Sequence, residues 1–211
     1  YLESLRDGRE IWLYGERVQD VTAHPAFRNT ARMIARLYDA LHDPAQQEVL
    51  TTATDTGAPG YTHRYFRVPM SWEEQLAGRD AIAAWARLTY GWLGRAPDYK
   101  GAFLGTLGAN AEFYAPYQDN ARAWYKKAQE QVLYLNHAII HPPVDRDRPI
   151  HERADVCVHI VKESDAGTYV SGAKMHQTGA VNSHWLIFMP TMRMTEADGE
   201  WSVVGAIRVD A

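Results

Sequence analysis

The side chains best suited to bind a small oxygen-bearing ligand include an arginine and a tyrosine in one short segment. Arg95 and Tyr99 lie in GWLGRAPDY (residues 91–99), where two glycines and a proline are expected to end the preceding helix. A permanently charged guanidinium and a phenol can together bind an anionic or phenolic oxygen. The alternative is a surface arginine beside a half-buried tyrosine, and the segment taken alone favours it.

His137 is the third candidate, in YLNHAIIHPPVDR (residues 134–146). The adjacent prolines fix φ and withhold two backbone donors, so a helix is predicted to end here and an extended, charged loop to follow. An imidazole at such a junction can serve as a base or a donor, although a capping or solvated histidine is commoner. His141 is four residues further on, but no carboxylate ligand pattern follows, so no metal site is expected.

Two other segments could hold a polar cofactor. The charged run DRDR (residues 145–148) is typical of a solvated turn, but Arg146 and the loop backbone could also bind a cofactor. Thr178 could offer a hydroxyl and Gly179 a close backbone approach to a flat ring, while a strand bulge at Gly179 is the simpler interpretation. A P-loop, a GxGxxG motif after a strand and a GxSxG motif are all missing from the sequence, so Rossmann and serine-hydrolase chemistry are unsupported.

Composition narrows the function further. The 211 residues are 46% hydrophobic, which is ample for a buried core, and the net charge of -4 argues against nucleic acid as a partner. The single cysteine, Cys157, excludes an internal disulfide and a cysteine-only metal cluster. No apolar run reaches the length of about 20 residues that a membrane span needs, and the first residues resemble no signal peptide. We therefore expect a soluble, cytoplasmic protein with no membrane partner.

Apolar periodicity predicts helices in the first two thirds of the chain. One stripe covers residues 27–41, with Asp43-Pro44 expected to end the helix. Ser71 and Glu74 have capping-box spacing before a second stripe at residues 82–92, and a third stripe covers residues 121–135. A short hairpin is predicted at residues 10–18.

Strands are predicted after residue 148. Alternation over residues 156–160, a turn at 165–167 and a strand at 168–170 predict an antiparallel hairpin, and residues 185–189 and 201–209 predict two more strands. The predicted fold class is α+β, with a helical domain at residues 1–137 and an antiparallel β domain at 138–211. The β domain looks incomplete because its strands leave exposed edges, so missing sequence or an oligomeric partner is expected.

Long motifs in register, spread over nearly the whole chain, point to a known family. They are DGREIWLYGERV (residues 7–18), HPAFRN (24–29), YDALHDP (38–44), TDTG (54–57), GRAPDYK (94–100), LGAN (107–110) and NHAIIHPPVDR (136–146). Together they closely resemble the 4-hydroxyphenylacetate 3-hydroxylase family, the oxygenase components of two-component flavin monooxygenases of aromatic catabolism. The resemblance implies an acyl-CoA dehydrogenase-like fold whose C-terminal helical bundle has no counterpart in residues 1–211, and a homotetramer.

The resemblance also implies a site and a reaction. Arg95, Tyr99 and His137 would bind the phenolic substrate. The flavin contacts would be His137, Pro143, Val144, Asp145, Arg146 and Thr178. In this family FADH2, delivered by a separate flavin reductase, reacts with molecular oxygen to give a C4a-hydroperoxide. Its distal oxygen is transferred to the carbon ortho to the phenol, and the protein must orient the ring and exclude water.

One stretch departs from that pattern. GAKMHQTGAVNSH (residues 172–184), MPT (189–191) and MTEAD (194–198) look more like 4-hydroxybutyryl-CoA dehydratases, which share the fold and FAD. Those enzymes also need a 4Fe-4S cluster, and two of its cysteines would fall near Thr89 and Leu93, neither of which is Cys. A monooxygenase is therefore the better interpretation. A dehydratase-like FAD enzyme acting on a CoA ester and a non-catalytic flavin-binding fragment are the alternatives.

Overall fold

The computed structural model describes residues 1–145, 147–153 and 156–210. The chain divides into two compact units, Tyr1–Leu135 (with Asp210) and Asn136–Val209. Among the described residues, no helix is long and apolar enough to cross a membrane.

Five helices build most of the first unit: α1 (Arg28–Ala40), α2 (Pro44–Leu50), α3 (Trp72–Leu88), α4 (Gly101–Ala109) and α5 (Gln118–Gln131). A buried cluster joins α1, α2 and α3, formed by Leu37, Ala40, Leu41, Leu50, Ala81 and Trp85. The helices predicted from the first two stripes are therefore present, whereas α2 and α4 were not predicted.

The helix starts follow from local chemistry. The side chain of Asp43 accepts a hydrogen bond from the backbone N–H of Ala45, and Pro44 occupies the first turn of α2. Asp43-Pro44 therefore begins a second helix close to the end of the first. At α3, the Ser71 Oγ accepts from the Glu74 N–H at 3.2 Å, as its capping spacing predicts.

Two small antiparallel hairpins complete the first unit. The predicted hairpin is present as β1 (Ile11–Leu13) and β2 (Glu16–Val18). Its two turn residues have positive φ, which suits the tight turn that joins two twisted strands. The second hairpin, β3 (Thr51–Ala53) with β4 (Tyr61–His63), encloses the glycine- and proline-rich loop.

Two helix predictions extended too far. The third was expected to reach Leu135, but α5 ends at Gln131, and Val132 follows with a left-handed φ of 44°. Residues 135–138 instead form a strand, β5 (Leu135–Ala138), so the prediction that His137 ends a helix was wrong. The cause is burial, because residues 133–136 are all buried in succession and no single helical face can accommodate that pattern. The second stripe was expected to reach Trp92, which lies beyond the end of α3 and is exposed.

The second unit contains small sheets. A three-stranded sheet has the order β5, β8 (Trp185–Phe188), β9 (Gly205–Arg208), and β8 pairs antiparallel with β9. The predicted hairpin forms from β6 (His159–Ser164) and β7 (Gly167–Ser171). The final strand is shorter than predicted, because Glu196–Trp201 is a 3-10 helix with a capping box between Thr195 and Asp198.

Candidate active site

In the first unit, Arg95 and Tyr99 lie against each other. Arg95 follows the turn after α3, and Tyr99 belongs to a 3-10 helix, Pro97–Lys100, that has proline in its first turn. The guanidinium carbon of Arg95 is 4.4 Å from the centre of the Tyr99 ring, and the Lys100 Nζ is 4.7 Å from it. Such cation–π contacts place positive charge beside the phenol. Tyr99 is 38% exposed, so a ligand can reach this pair.

A hydrogen bond from the buried Tyr134 fixes the backbone of Arg95. The Tyr134 hydroxyl donates a hydrogen bond to the carbonyl oxygen of Arg95, and Tyr134 itself is completely buried. A buried phenol with a satisfied hydroxyl is a rigid support. The backbone from which the Arg95 guanidinium extends is therefore fixed in position.

Asp98 is a further candidate functional residue, and no role was predicted for it from the sequence. It is buried between Pro97 and Tyr99, and burial raises the pKa of its carboxyl to about 6. Burial, followed by the charge of Arg95, lowers the pKa of Lys100. A carboxyl that titrates close to neutrality beside a candidate ligand-binding pair is typical of functional sites. An acidic residue between a proline and a tyrosine was the only sequence signal.

In the second unit, β5 carries His137, and the neighbouring residue Asn136 links this strand to the turn that contains Thr178. The Asn136 Nδ2 donates to the Ser183 Oγ at 2.9 Å, and the Ser183 Oγ donates to the Gly179 carbonyl at 2.8 Å. Gly179 has a φ of 82° and precedes a 3-10 helix, so it lies in a tight turn and not in a strand bulge. Thr178, just before it, is exposed.

The Pro-Pro loop leaves the same strand. The Met175 N–H donates to the Ile140 carbonyl at 3.0 Å, which fixes the chain just before the prolines. The Val144 N–H then donates to the Pro142 carbonyl at 2.8 Å. The side chain of Asp145 accepts from the backbone N–H of residue 147, as in a solvated turn. Pro143 and Asp145 are exposed and Val144 is half-buried, while Arg146 lies outside the described residues.

Buried polar atoms in the segment around His137 lack hydrogen-bond partners among the described residues. They are the Asn136 Oδ1 and both ring nitrogens of His141, a residue that is 7% exposed. Burial, reinforced by the charges of Lys174 and Arg153, lowers the pKa of His141 to about 4, so its imidazole is neutral. An unsatisfied buried polar group costs about 1–3 kcal/mol, which a bound polar ligand would offset. The segment therefore fits a cofactor rich in hydrogen-bonding groups.

The predicted site residues are divided between the units. Arg95 and Tyr99 belong to the first unit, whereas His137, Pro143 to Asp145 and Thr178 belong to the second. The described residues contain no cluster of His, Cys, Asp and Glu that could hold a metal ion. From the sequence, His141 was considered only as a metal ligand, and its burial was not predicted.

Comparison with known proteins gives matches over the whole chain. A family model described as "4-hydroxyphenylacetate 3-hydroxylase N terminal" matches residues 1–211. A 4-nitrophenol 2-monooxygenase oxygenase component from Rhodococcus sp is 60% identical over 198 residues, which cover 93% of this chain and 38% of that protein. The chain thus spans about two fifths of the length of the curated relatives it matches.

Solved structures match equally completely. One is the crystal structure of the oxygenase component of 4-hydroxyphenylacetate 3-monooxygenase complexed with FAD and 4-hydroxyphenylacetate. It has a TM-score of 0.89 and 29% identity, over 99% of this chain and 44% of that chain. Another is an oxygen-tolerant archaeal 4-hydroxybutyryl-CoA dehydratase from N. maritimus, with a TM-score of 0.82 and 28% identity, over 100% of this chain and 43% of that one.

Proposed function

We propose, because this chain belongs to the 4-hydroxyphenylacetate 3-hydroxylase N-terminal family, that it acts in a reduced-FAD-dependent monooxygenase of small phenols. The family resemblance and the acyl-CoA dehydrogenase-like α+β fold predicted from the sequence are both confirmed. The product would be the phenol hydroxylated ortho to its hydroxyl, as for a substrate like 4-hydroxyphenylacetate. The observation that best supports this proposal is the Arg95 guanidinium 4.4 Å from the centre of the Tyr99 ring.

Arg95 and Tyr99 would bind the phenolic oxygen of the substrate. A guanidinium donates charge-assisted hydrogen bonds to a phenolate, and the Tyr99 hydroxyl can donate another. Lys100 adds a second positive charge beside the same ring. Stabilising phenolate character raises electron density at the ortho carbon, which is the atom to be hydroxylated. His137 would be the third group to contact the phenol.

The cofactor would lie against the second unit. When bound, reduced FAD supplies the reactivity towards oxygen that the amino-acid side chains lack. His137, Pro143, Val144, Asp145, Arg146 and Thr178 would hold it. Asn136 and His141 support the fit, since both keep buried polar atoms without a partner among the described residues. The two prolines would make this loop rigid, so that it could orient the flavin ring and exclude water from it.

A separate flavin reductase would deliver the reduced cofactor, because the relatives are named as oxygenase components. We also propose a cytoplasmic location and a homotetramer. The single cysteine fits a reducing compartment, and the short, open sheets of the second unit leave strand edges that an oligomer would cover.

The test is hydroxylation by the purified protein with a flavin reductase, NADH and FAD, with 4-hydroxyphenylacetate or 4-nitrophenol as substrate. Catechol and hydrogen peroxide are measured together. Arg95→Met and Tyr99→Phe should each lower catechol formation at least about tenfold, the usual size of losing one charge-assisted donor, while peroxide release continues. Arg87→Met, on the last turn of α3, is the control and should behave as wild type. Unchanged catechol formation in both site variants would refute the assignment.

A dehydratase-like enzyme acting on a CoA ester is the second candidate, favoured by the TM-score of 0.82 to the archaeal dehydratase. Turnover of a hydroxyacyl-CoA without oxygen would support this candidate and exclude the hydroxylase. FAD binding with neither activity would leave a non-catalytic flavin-binding role.

A further inference from the structure

We propose that Lys174 is a positioning residue whose ammonium group ties together the two backbone segments that leave β5 and β8. This proposal rests on the proposed function, because the segment after β5 joins residues assigned to the flavin. Lys174 belongs to the stretch that looked dehydratase-like in the sequence, and the proposed reaction assigns no role to Lys174 itself.

The ammonium bonds to the first residue after each strand. The Lys174 Nζ donates to the Met189 carbonyl at 2.8 Å and lies 3.4 Å from the Ile139 carbonyl, to which it also donates. Met189 follows β8 and Ile139 follows β5, and these strands are neighbours in one sheet. The Thr191 hydroxyl donates to the same Ile139 carbonyl at 3.2 Å. We call this set of three hydrogen bonds the Lys174 clamp.

The backbone of Lys174 is itself held on both sides. The Ala173 N–H donates to the Val156 carbonyl at 2.8 Å, and the Met175 N–H donates to the Ile140 carbonyl at 3.0 Å. The Cα of Lys174 is therefore held in place, and its side chain reaches from there to the two carbonyl oxygens. A lysine has three donors, so the ammonium can bond both carbonyls at once, as a neutral side chain of similar length cannot.

The position of the clamp gives it a function. Ile139 lies two residues after His137 and four before Pro143. The clamp therefore holds the stretch of chain that joins these two proposed flavin contacts. Where the strand ladder stops, backbone carbonyls would otherwise turn towards water. Without the ammonium, the chain between His137 and the Pro-Pro loop could shift relative to the Met189–Thr191 segment. A displacement of about 1 Å at a reacting centre can cost about 100-fold in rate.

The experiment compares wild type with Lys174→Met and Lys174→Arg. Lys162→Met is the control, since Lys162 is an exposed lysine on β6 of the same unit. Titration of the protein with FAD, followed by flavin fluorescence, should show binding about tenfold weaker in Lys174→Met. In the coupled assay, the ratio of catechol to peroxide should fall several-fold. Lys174→Arg should recover most of both quantities, because a guanidinium can also donate to two carbonyls.

Hydrogen exchange provides a readout that does not depend on activity. The amides of Val144 and Met175 should exchange about tenfold faster in Lys174→Met, while those of α1 and α3 keep wild-type rates. Thr191→Val, which removes one bond of the clamp without changing its charge, should give a smaller increase at the same amides. Unchanged exchange and unchanged FAD affinity in Lys174→Met would overturn the proposal. Wild type that forms no catechol from any phenol would instead refute the proposed function.

Discussion

Lowering the pH from about 7.5 to about 5 should remove the stability that one buried residue of the first unit, His63, contributes. Its side chain is completely buried, and its ring centre lies 4.0 Å from that of Trp85. The Nδ1 accepts a hydrogen bond from the Tyr65 N–H at 3.1 Å, so this nitrogen must stay unprotonated. Burial lowers the pKa of His63 to about 3, with a smaller contribution from the charge of Arg64.

The sign and size of the effect follow from linkage. The unfolded chain takes up the proton near pH 6.5 while the folded chain stays neutral down to about pH 3. The stabilisation is therefore complete above pH 6.5 and is lost as the pH falls towards 3. Each pH unit in that window costs about 1.4 kcal/mol, so at about pH 5 the loss from His63 is about 2 kcal/mol.

Urea unfolding at the two pH values, followed by far-ultraviolet circular dichroism, measures this loss. In His63→Asn, which keeps an acceptor for the Tyr65 N–H but cannot become charged, the drop in unfolding free energy should be about 2 kcal/mol smaller than in wild type. His42→Asn, at an exposed position of the same unit, is the control and should keep the wild-type drop. The reasoning fails if wild type and His63→Asn lose the same free energy between the two pH values.

Three other perturbations test the packing. Gly172→Ala should lower the free energy of unfolding in urea by more than about 3 kcal/mol, because the added Cβ would lie 2.5 Å from backbone atoms of Cys157. Gly167→Ala is the control and should cost less, since Gly167 has a similar positive φ but open space around it. Asp98→Asn should raise the melting temperature at about pH 8 but not at about pH 4. The Asp98 carboxyl has a pKa of 3.8 in the unfolded chain and about 6 when folded, so its ionisation costs the folded protein about 1–3 kcal/mol once the pH has risen through this range. Leu50→Ala should cost about 2–5 kcal/mol, because the side chain is completely buried in the helical core, and a loss below about 1 kcal/mol in chemical unfolding would contradict that packing.

The features that the sequence predicted correctly depend on neighbours within a few residues. The Ser71 cap of α3, the turn at Tyr14-Gly15 and the β6–β7 hairpin all follow from side-chain caps, φ preferences and short-range alternation. The long motifs identified the family in the same way, because each is a contiguous run. They also marked Arg95 and Tyr99, which four residues of chain already bring close together.

Only the tertiary structure decided what depends on distant partners. Residues 135–138 form a strand because they are mostly buried and pair with β8, about 50 residues further along the chain, which overrides a helical stripe. The hydrogen bonds from Lys174 to the carbonyls of Ile139 and Met189 and the neutral state of His141 likewise depend on packing. Caps and turns are properties of adjacent residues, whereas burial, desolvation and long-range hydrogen bonds exist only once the chain has packed.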